Sequence, residues 1–251
     1  GLFSDTKKFH KIRKKVKALV LMEYEKRLTT KKKFKNFLDI VIEQNKQMEA
    51  EGRFDEIMHT DDLAPNVELV QFAASDTSYQ ISTSFIVHLG FSPEQQEKLF
   101  EDIEDMPQNH LEVNSEVIDS YEYLHACFKE SMRLMAPFPA TIPRRVTRNI
   151  TILGKTIYKG DIIHVPALAL QMNNECFPES EKFKPERFLS KATLKAEKMN
   201  FLPFGYGSRN CIGQYLGELM VKSVVARFIR RFRVEHIKGR DYDKVMCPIY
   251  G

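Results

Sequence analysis

Residues 204–213 read Phe204-Gly205-Tyr206-Gly207-Ser208-Arg209-Asn210-Cys211-Ile212-Gly213. Nowhere else in the chain do glycines, a cation and a thiol stand so close together. The glycines let the backbone take positive φ and let a flat ligand approach closely. A helical run follows, from Ile212 through Val221 to Phe228. Cys211 therefore stands at a helix entrance, where the positive end of the dipole and free N–H groups favour a thiolate. Such a sulfur is a ready metal ligand. Arg209, two residues earlier, offers a planar fork of donors to a carboxylate at the edge of the same cofactor.

Upstream of this loop, residues 174–200 are dominated by charged and turn residues, with Pro178 and Pro185 opposing regular structure and Pro185-Glu186-Arg187-Phe188 among them. Before them lie short β-rich segments, Thr151 to Leu153, Thr156 to Tyr158 and Ile162 to Val165, with turns at Gly154 and Gly160, which read as one small sheet. A helix from Tyr121 to Ala136, halted by Pro137, carries Glu130 and Arg133 three residues apart and so on one face. Taken alone, that pair is an ordinary surface ion pair. A long apolar run from about Leu63 to Gly90, with Pro65 in its first turn, contains Ala73-Ala74-Ser75-Asp76-Thr77-Ser78. Ser92, Pro93 and Gln95 then make a capping box, opening a helix that stops before Pro107.

The first sixty residues read as two helices. One runs from Lys7 to Leu28, with Ile12, Val16, Leu19 and Val20 on an apolar face and a solvated basic one. The second opens at Lys31 to Lys33, carries Phe34, Phe37, Leu38, Val41 and Ile42, and ends near Gly52. Of the 251 residues, 38 are Lys or Arg and 34 Asp or Glu, a formal net charge of +4. Without a base-reading motif that balance does not argue for nucleic acid. The four cysteines, Cys127, Cys176, Cys211 and Cys247, form no CxxC pair, so neither a disulfide framework nor a zinc site is indicated. No run approaches the length of a membrane span, and Leu2 and Phe3 do not begin a signal peptide.

E-x-x-R, then P-E-R-F, then F-x-x-G-x-R-x-C-x-G, in that order, resemble the cytochrome P-450 family, whose cysteine-loop pattern is matched here at every fixed position. Ala73 to Ser78 resemble the family's A/G-G-x-D/E-T-T/S signature, with Ala74 replacing the usual glycine. The resemblance implies a mainly α fold with a small β region: the C-terminal, haem-binding half of a cytochrome P-450. It divides the chain into two helices (1–60), a long oxygen-binding helix (61–90), the E-x-x-R helix (120–136), the β region (144–166) and the cysteine loop with its helix (200–232). The family's N-terminal half is expected from a longer parent or a companion chain, and the terminal hairpin after Glu235 looks short.

Carried over residue by residue, the resemblance implies that Cys211 is the axial ligand of haem b, with the Ile212 and Gly213 amides facing the sulfur. Phe204, Gly205, Ala73 and Ala74 would also border the haem. Arg209 reaches one propionate and Arg145 a second, Arg144 being the competing choice. Glu130, Arg133 and Arg187 form a buried structural network. Asp76 and Thr77 relay protons to oxygen, while Phe72, Ala73, Ala140 and Thr141 line the substrate pocket.

The implied activity is a monooxygenase that takes electrons from an NADPH-dependent reductase or other donor and inserts one atom of O2 into a small hydrophobic substrate. The expected location is the cytosolic face of the endoplasmic reticulum membrane, with mitochondria as the alternative and attachment through the N-terminal region. A haem-thiolate isomerase or dehydratase and a truncated, non-catalytic structural subunit are the competing readings.

Overall fold

In a computed structural model of the chain, the described residues are 6–30, 36–109, 112–189 and 200–237. The fold is mainly helical with a small β component. The chain divides into two compact units, Gly1–Ser75 and Asp76–Gly251.

In the first unit, α1 (Thr6–Thr29) and α2 (Phe37–Ala50) precede the first half of α3 (Thr60–Phe91). Asn36 caps α2 with a true capping box: its side chain accepts from the Asp39 amide, and the Asp39 carboxylate accepts from the Asn36 amide. Lys31 to Phe34, expected to open this helix, lie outside the described residues. The face expected to be apolar in α1 is not buried as a whole, because Ile12 and Leu19 are exposed. Nor is its basic face only solvated: Arg13 pairs with Glu68 at 2.9 Å and Lys17 with Asp61 at 2.8 Å, both on α3. Because α3 begins at Thr60, three residues before the expected start, Pro65 falls beyond the first turn.

The second unit holds the main core. Ile81, Phe85 and Leu89 of α3 pack with Leu99 of α4 (Pro93–Asp102), Ile118 of α5 (Ser115–Asp119), Leu124, Phe128 and Met132 of α6 (Glu122–Leu134), and Val221 and Val225 of α8 (Gln214–Ile229). The expected box at Ser92 does not form. Its N–H still closes the end of α3 on the Leu89 carbonyl at 3.1 Å, and its ψ of 71° is not the extended value of a cap, so the hydroxyl makes no capping bond. The helix also ends at Asp102, well before Pro107, and the Asp102 carboxylate accepts from the Leu124 amide at 3.0 Å, serving the entrance of α6 instead.

The β residues form two separate antiparallel ladders rather than one sheet. β2 (Ile150–Ile152) pairs with β3 (Lys155–Ile157) around Gly154, whose φ of +76° suits the hairpin turn, while β1 (Arg144–Arg145) pairs with β4 (Ile162–Ile163). Two short helices went unread in the sequence: α5 and α7 (Ala167–Gln171). After α8, the chain folds back on α3. The Gln96 side chain donates to the Val234 carbonyl at 2.9 Å and accepts from its amide at 2.8 Å, and a Cβ on Gly90 would lie 2.9 Å from Val234 Cγ1. Residues 238–251, and with them Cys247 and most of the terminal hairpin, lie outside the described residues. Among the described residues no helix is long and apolar enough to cross a membrane.

Candidate functional site

Loop 201–213 is shaped by its glycines. Gly205 and Gly207 have φ of +75° and +82°, which an L side chain adopts only with strain. Gly205 N–H donates to the Leu202 carbonyl at 3.1 Å, Asn210 N–H to Gly207 at 3.1 Å and Cys211 N–H to Phe204 at 2.8 Å. Phe204 packs against the main core and anchors one side of the loop. The helix itself starts at Gln214, with Gly213 at its cap, so Cys211 stands just outside it rather than in its first turn.

The other side of the loop is open. Cys211, Arg209 and Tyr206 are exposed, and Ile212 is fully so. Arg209 has no hydrogen-bond or ion-pair partner among the described residues, and the Ile212 and Gly213 amides find no acceptor among them. A Cβ on Gly213 would sit 3.8 Å from the Cys211 sulfur, so the glycine keeps the space beside the thiol clear. A bare thiol, an unpaired guanidinium and a fully exposed isoleucine in one short loop match a flat ligand with a metal centre, an apolar face and carboxylates at its rim. The residues present fit haem.

Behind the loop lies a buried charge network. Arg133 is wholly enclosed and grips Glu130 with two bonds, Nε to Oε2 at 2.8 Å and Nη2 to Oε1 at 2.9 Å. Its remaining donors reach the Gln171 carbonyl at 2.9 Å and the Lys182 carbonyl at 3.3 Å, and its guanidinium lies 5.4 Å from the centre of the Phe177 ring. Glu130 Oε1 also accepts from Arg187 Nε at 3.0 Å and from the Lys184 amide at 2.9 Å. Arg187, on the 3₁₀ turn Pro185–Phe188, completes its fork on the carbonyls of Pro178 and Glu179. Pro185 thus opens regular structure where the sequence suggested that it opposes it.

His88 borders the network. Its Nδ1 is 3.0 Å from Ser131 Oγ and its ring stacks on Phe183. Burial, reinforced by the charge of Arg133, pushes its pKa down to about 4.

The remaining residues singled out in the sequence are placed as follows. Arg145 is exposed on β1 and donates to the Gly160 carbonyl at 3.1 Å, and Arg144 reaches only the Pro143 carbonyl. Asp76, half-buried on α3, accepts from Gln80 at 2.9 Å, with Thr77 beside it in the chain. Phe72 and Ala73 are exposed on α3, and Ala74 is half-buried. Ala140 and Thr141 are half-buried before β1, where Thr141 exchanges bonds with Val165. Sequence reasoning missed His88 and Gln171. Neither belongs to a recognisable motif, and only burial marks them.

Residues 2–249 match the profile of the family described as Cytochrome P450. The chain belongs to the cytochrome P450 family. Among curated P450 relatives, Cytochrome P450 4d1 of Drosophila simulans is 33% identical over 181 residues, which is 70% of this chain and 35% of that protein. Cytochrome P450 CYP12A2 of Musca domestica is 34% identical over 179 residues, 65% of this chain and 33% of that protein. Cytochrome P450 3A30 of Fundulus heteroclitus is 29% identical over 197 residues, 78% and 39% respectively. The chain thus spans about a third of the length of the curated relatives it matches. P450 proteins bind haem b and are monooxygenases as a family.

Proposed function

We propose that this chain is the haem-binding part of a haem-thiolate monooxygenase, and that Cys211 is the iron ligand. The observation that carries the reading is the open face of the cysteine loop: an exposed thiol beside Arg209 and the Ile212 and Gly213 amides, none of which has a partner among the described residues, backed by the enclosed Glu130–Arg133 pair. Haem b, when bound, supplies the redox-active iron at which dioxygen is activated.

The chain's own residues do the rest. The Ile212 and Gly213 amides, which find no acceptor among the described residues, would be available as donors to temper the sulfur. Arg209 offers its fork to a propionate. Arg145 offers a second propionate the donors that its bond to Gly160 leaves over. Thr77 would supply a hydroxyl and Asp76, which accepts from Gln80, a carboxylate for proton transfer at the haem. Ala140 and Thr141 present small surfaces, in keeping with a small hydrophobic substrate. Electrons come from an NADPH-dependent reductase or another donor, and the cytosolic face of the endoplasmic reticulum membrane is the proposed location.

Reducing the full-length protein under carbon monoxide tests this directly. A red-shifted Soret band of thiolate-ligated haem is expected, and its absence overturns the assignment. With NADPH and a reductase, Thr77→Ala is expected to divert electrons to hydrogen peroxide, and unchanged coupling counts against the proton relay.

A further inference from the structure

The Gln171 side chain is completely buried at the end of α7, and every polar atom of its amide is used. Nε2 donates to the carbonyls of Met132 at 3.3 Å and Arg133 at 3.1 Å, both near the C-terminal end of α6, where carbonyls lack partners within the helix. Oε1 accepts from the Leu202 amide at 3.1 Å. The Gln171 main-chain carbonyl receives Arg133 Nη1 at 2.9 Å. One residue therefore joins the E-x-x-R helix to the first residues of the cysteine loop. From Leu202 the bonding continues, from Gly205 N–H to the Leu202 carbonyl and from Cys211 N–H to the Phe204 carbonyl.

We propose that Gln171 is a positioning residue for the Cys211 thiolate. Its amide fixes where the loop starts, and through Leu202, Gly205 and Phe204 it fixes where the sulfur and the amides beside it stand. The proposal rests on the haem-thiolate reading above and deepens it. A carboxamide suits the position because it donates twice and accepts at once, which an ionised carboxylate or a thioether of similar length does not do. With the loop so fixed, the Ile212 and Gly213 amides are left available to the sulfur, and donors of that kind favour a thiolate over a neutral thiol.

The test uses the full-length, haem-loaded protein with Gln171→Met, which keeps the volume and removes both arms, and Gln171→Glu, which keeps an acceptor for Leu202. In Gln171→Met, amide exchange in the segment 200–211 is expected to run about ten-fold faster, the factor set by one lost hydrogen bond of ordinary strength. Part of the reduced, carbon monoxide-bound protein is expected to lose the thiolate Soret band, and the reduction potential to rise. Gln171→Glu, held protonated by burial and by the facing Met132 and Arg133 carbonyls, keeps one donor as well as the acceptor and is expected to stay near the wild type in loop exchange and Soret position.

A Gln171→Met protein that is only easier to unfold, with unchanged loop exchange, Soret band and potential, overturns the proposal. If Gln171→Met does not fold, Gln171→Glu decides, and fast loop exchange there with the Leu202 acceptor intact overturns it as well. A wild type without the thiolate band sinks the haem reading, and the exchange comparison then still decides whether Gln171 sets the loop.

Discussion

Arg133 and Glu130 face each other through two parallel hydrogen bonds, with neither side chain touching solvent. Such a pair compensates its own desolvation only while both members and their neighbours are present. Glu130 also carries Arg187 and the Lys184 amide, so Glu130→Ala strands two guanidiniums at once. The expected loss is about 3–5 kcal/mol in urea unfolding. Arg187→Ala, at the edge of the network, is expected to cost less, since Glu130 keeps Arg133.

Arg209 is exposed and contributes no bond to the described fold. Arg209→Ala is therefore expected to change unfolding stability by less than about 0.5 kcal/mol. If it holds a propionate, the same substitution speeds transfer of haem to an acceptor protein by about ten-fold, the loss of one charge-assisted bond. Equal transfer rates would remove Arg209 from the haem site. Cys211→Ser, also at an exposed position, is expected to fold and to lose the thiolate Soret band.

His88 sets a pH window. Neutral in the folded protein down to about 4, it takes up a proton in the unfolded chain near its ordinary value of 6.5. Below 6.5 the unfolded state binds more protons, so the stability due to neutral His88 is present above that pH and lost as pH falls toward 4. The full effect is about 3 kcal/mol. His125, pushed down to about 4 by burial and by Lys129 and Lys222, adds to the same window. His88→Gln keeps a partner for Ser131 and cannot titrate, so urea titrations from pH 7 to pH 4 are expected to show a shallower decline in the variant than in the wild type.

Glycine substitutions separate backbone strain from crowding. At Gly207, with φ of +82° and open space where a Cβ would lie, alanine is expected to cost about 1 kcal/mol through the backbone alone. At Gly213 the backbone is ordinary and the new methyl meets sulfur at 3.8 Å, so the fold is expected to tolerate alanine. Thermal unfolding of the two variants measures both.

The chemistry-bearing motifs were legible because each needs particular residue types at fixed offsets. Glu130, Arg133 and Arg187 could be named before their contacts were known, and α3, α4, α6 and α8 were legible from apolar spacing and proline stops, whereas α5 and α7 were not. Features made by distant segments were not legible. Gln171 looks like any polar residue after an alanine-leucine run until Leu202 and the end of α6 close over it. Ser92-Pro93-Glu94-Gln95 spells a capping box, yet Ser92 is claimed by the helix before it. The two ladders read as one sheet because strand periodicity says nothing about which strands pair. The basic side of α1 was taken as solvated because the acidic partners of Arg13 and Lys17 lie more than forty residues away.

The amide of Gln96 meets Val234 as a neighbouring strand would, one donor and one acceptor on a single residue, where there is no strand. Gly90 leaves the notch into which the valine methyl drops. Between the end of α8 and this clasp lie only residues 230–233, so the spacer works as a measured length. A deletion there pulls Val234 off its amide, and an insertion presents the wrong residue to the notch. Beyond Arg230, whose guanidinium bonds the Met106 and Glu104 carbonyls, the segment leaving α8 should therefore accept changes of side chain and hardly any change of length.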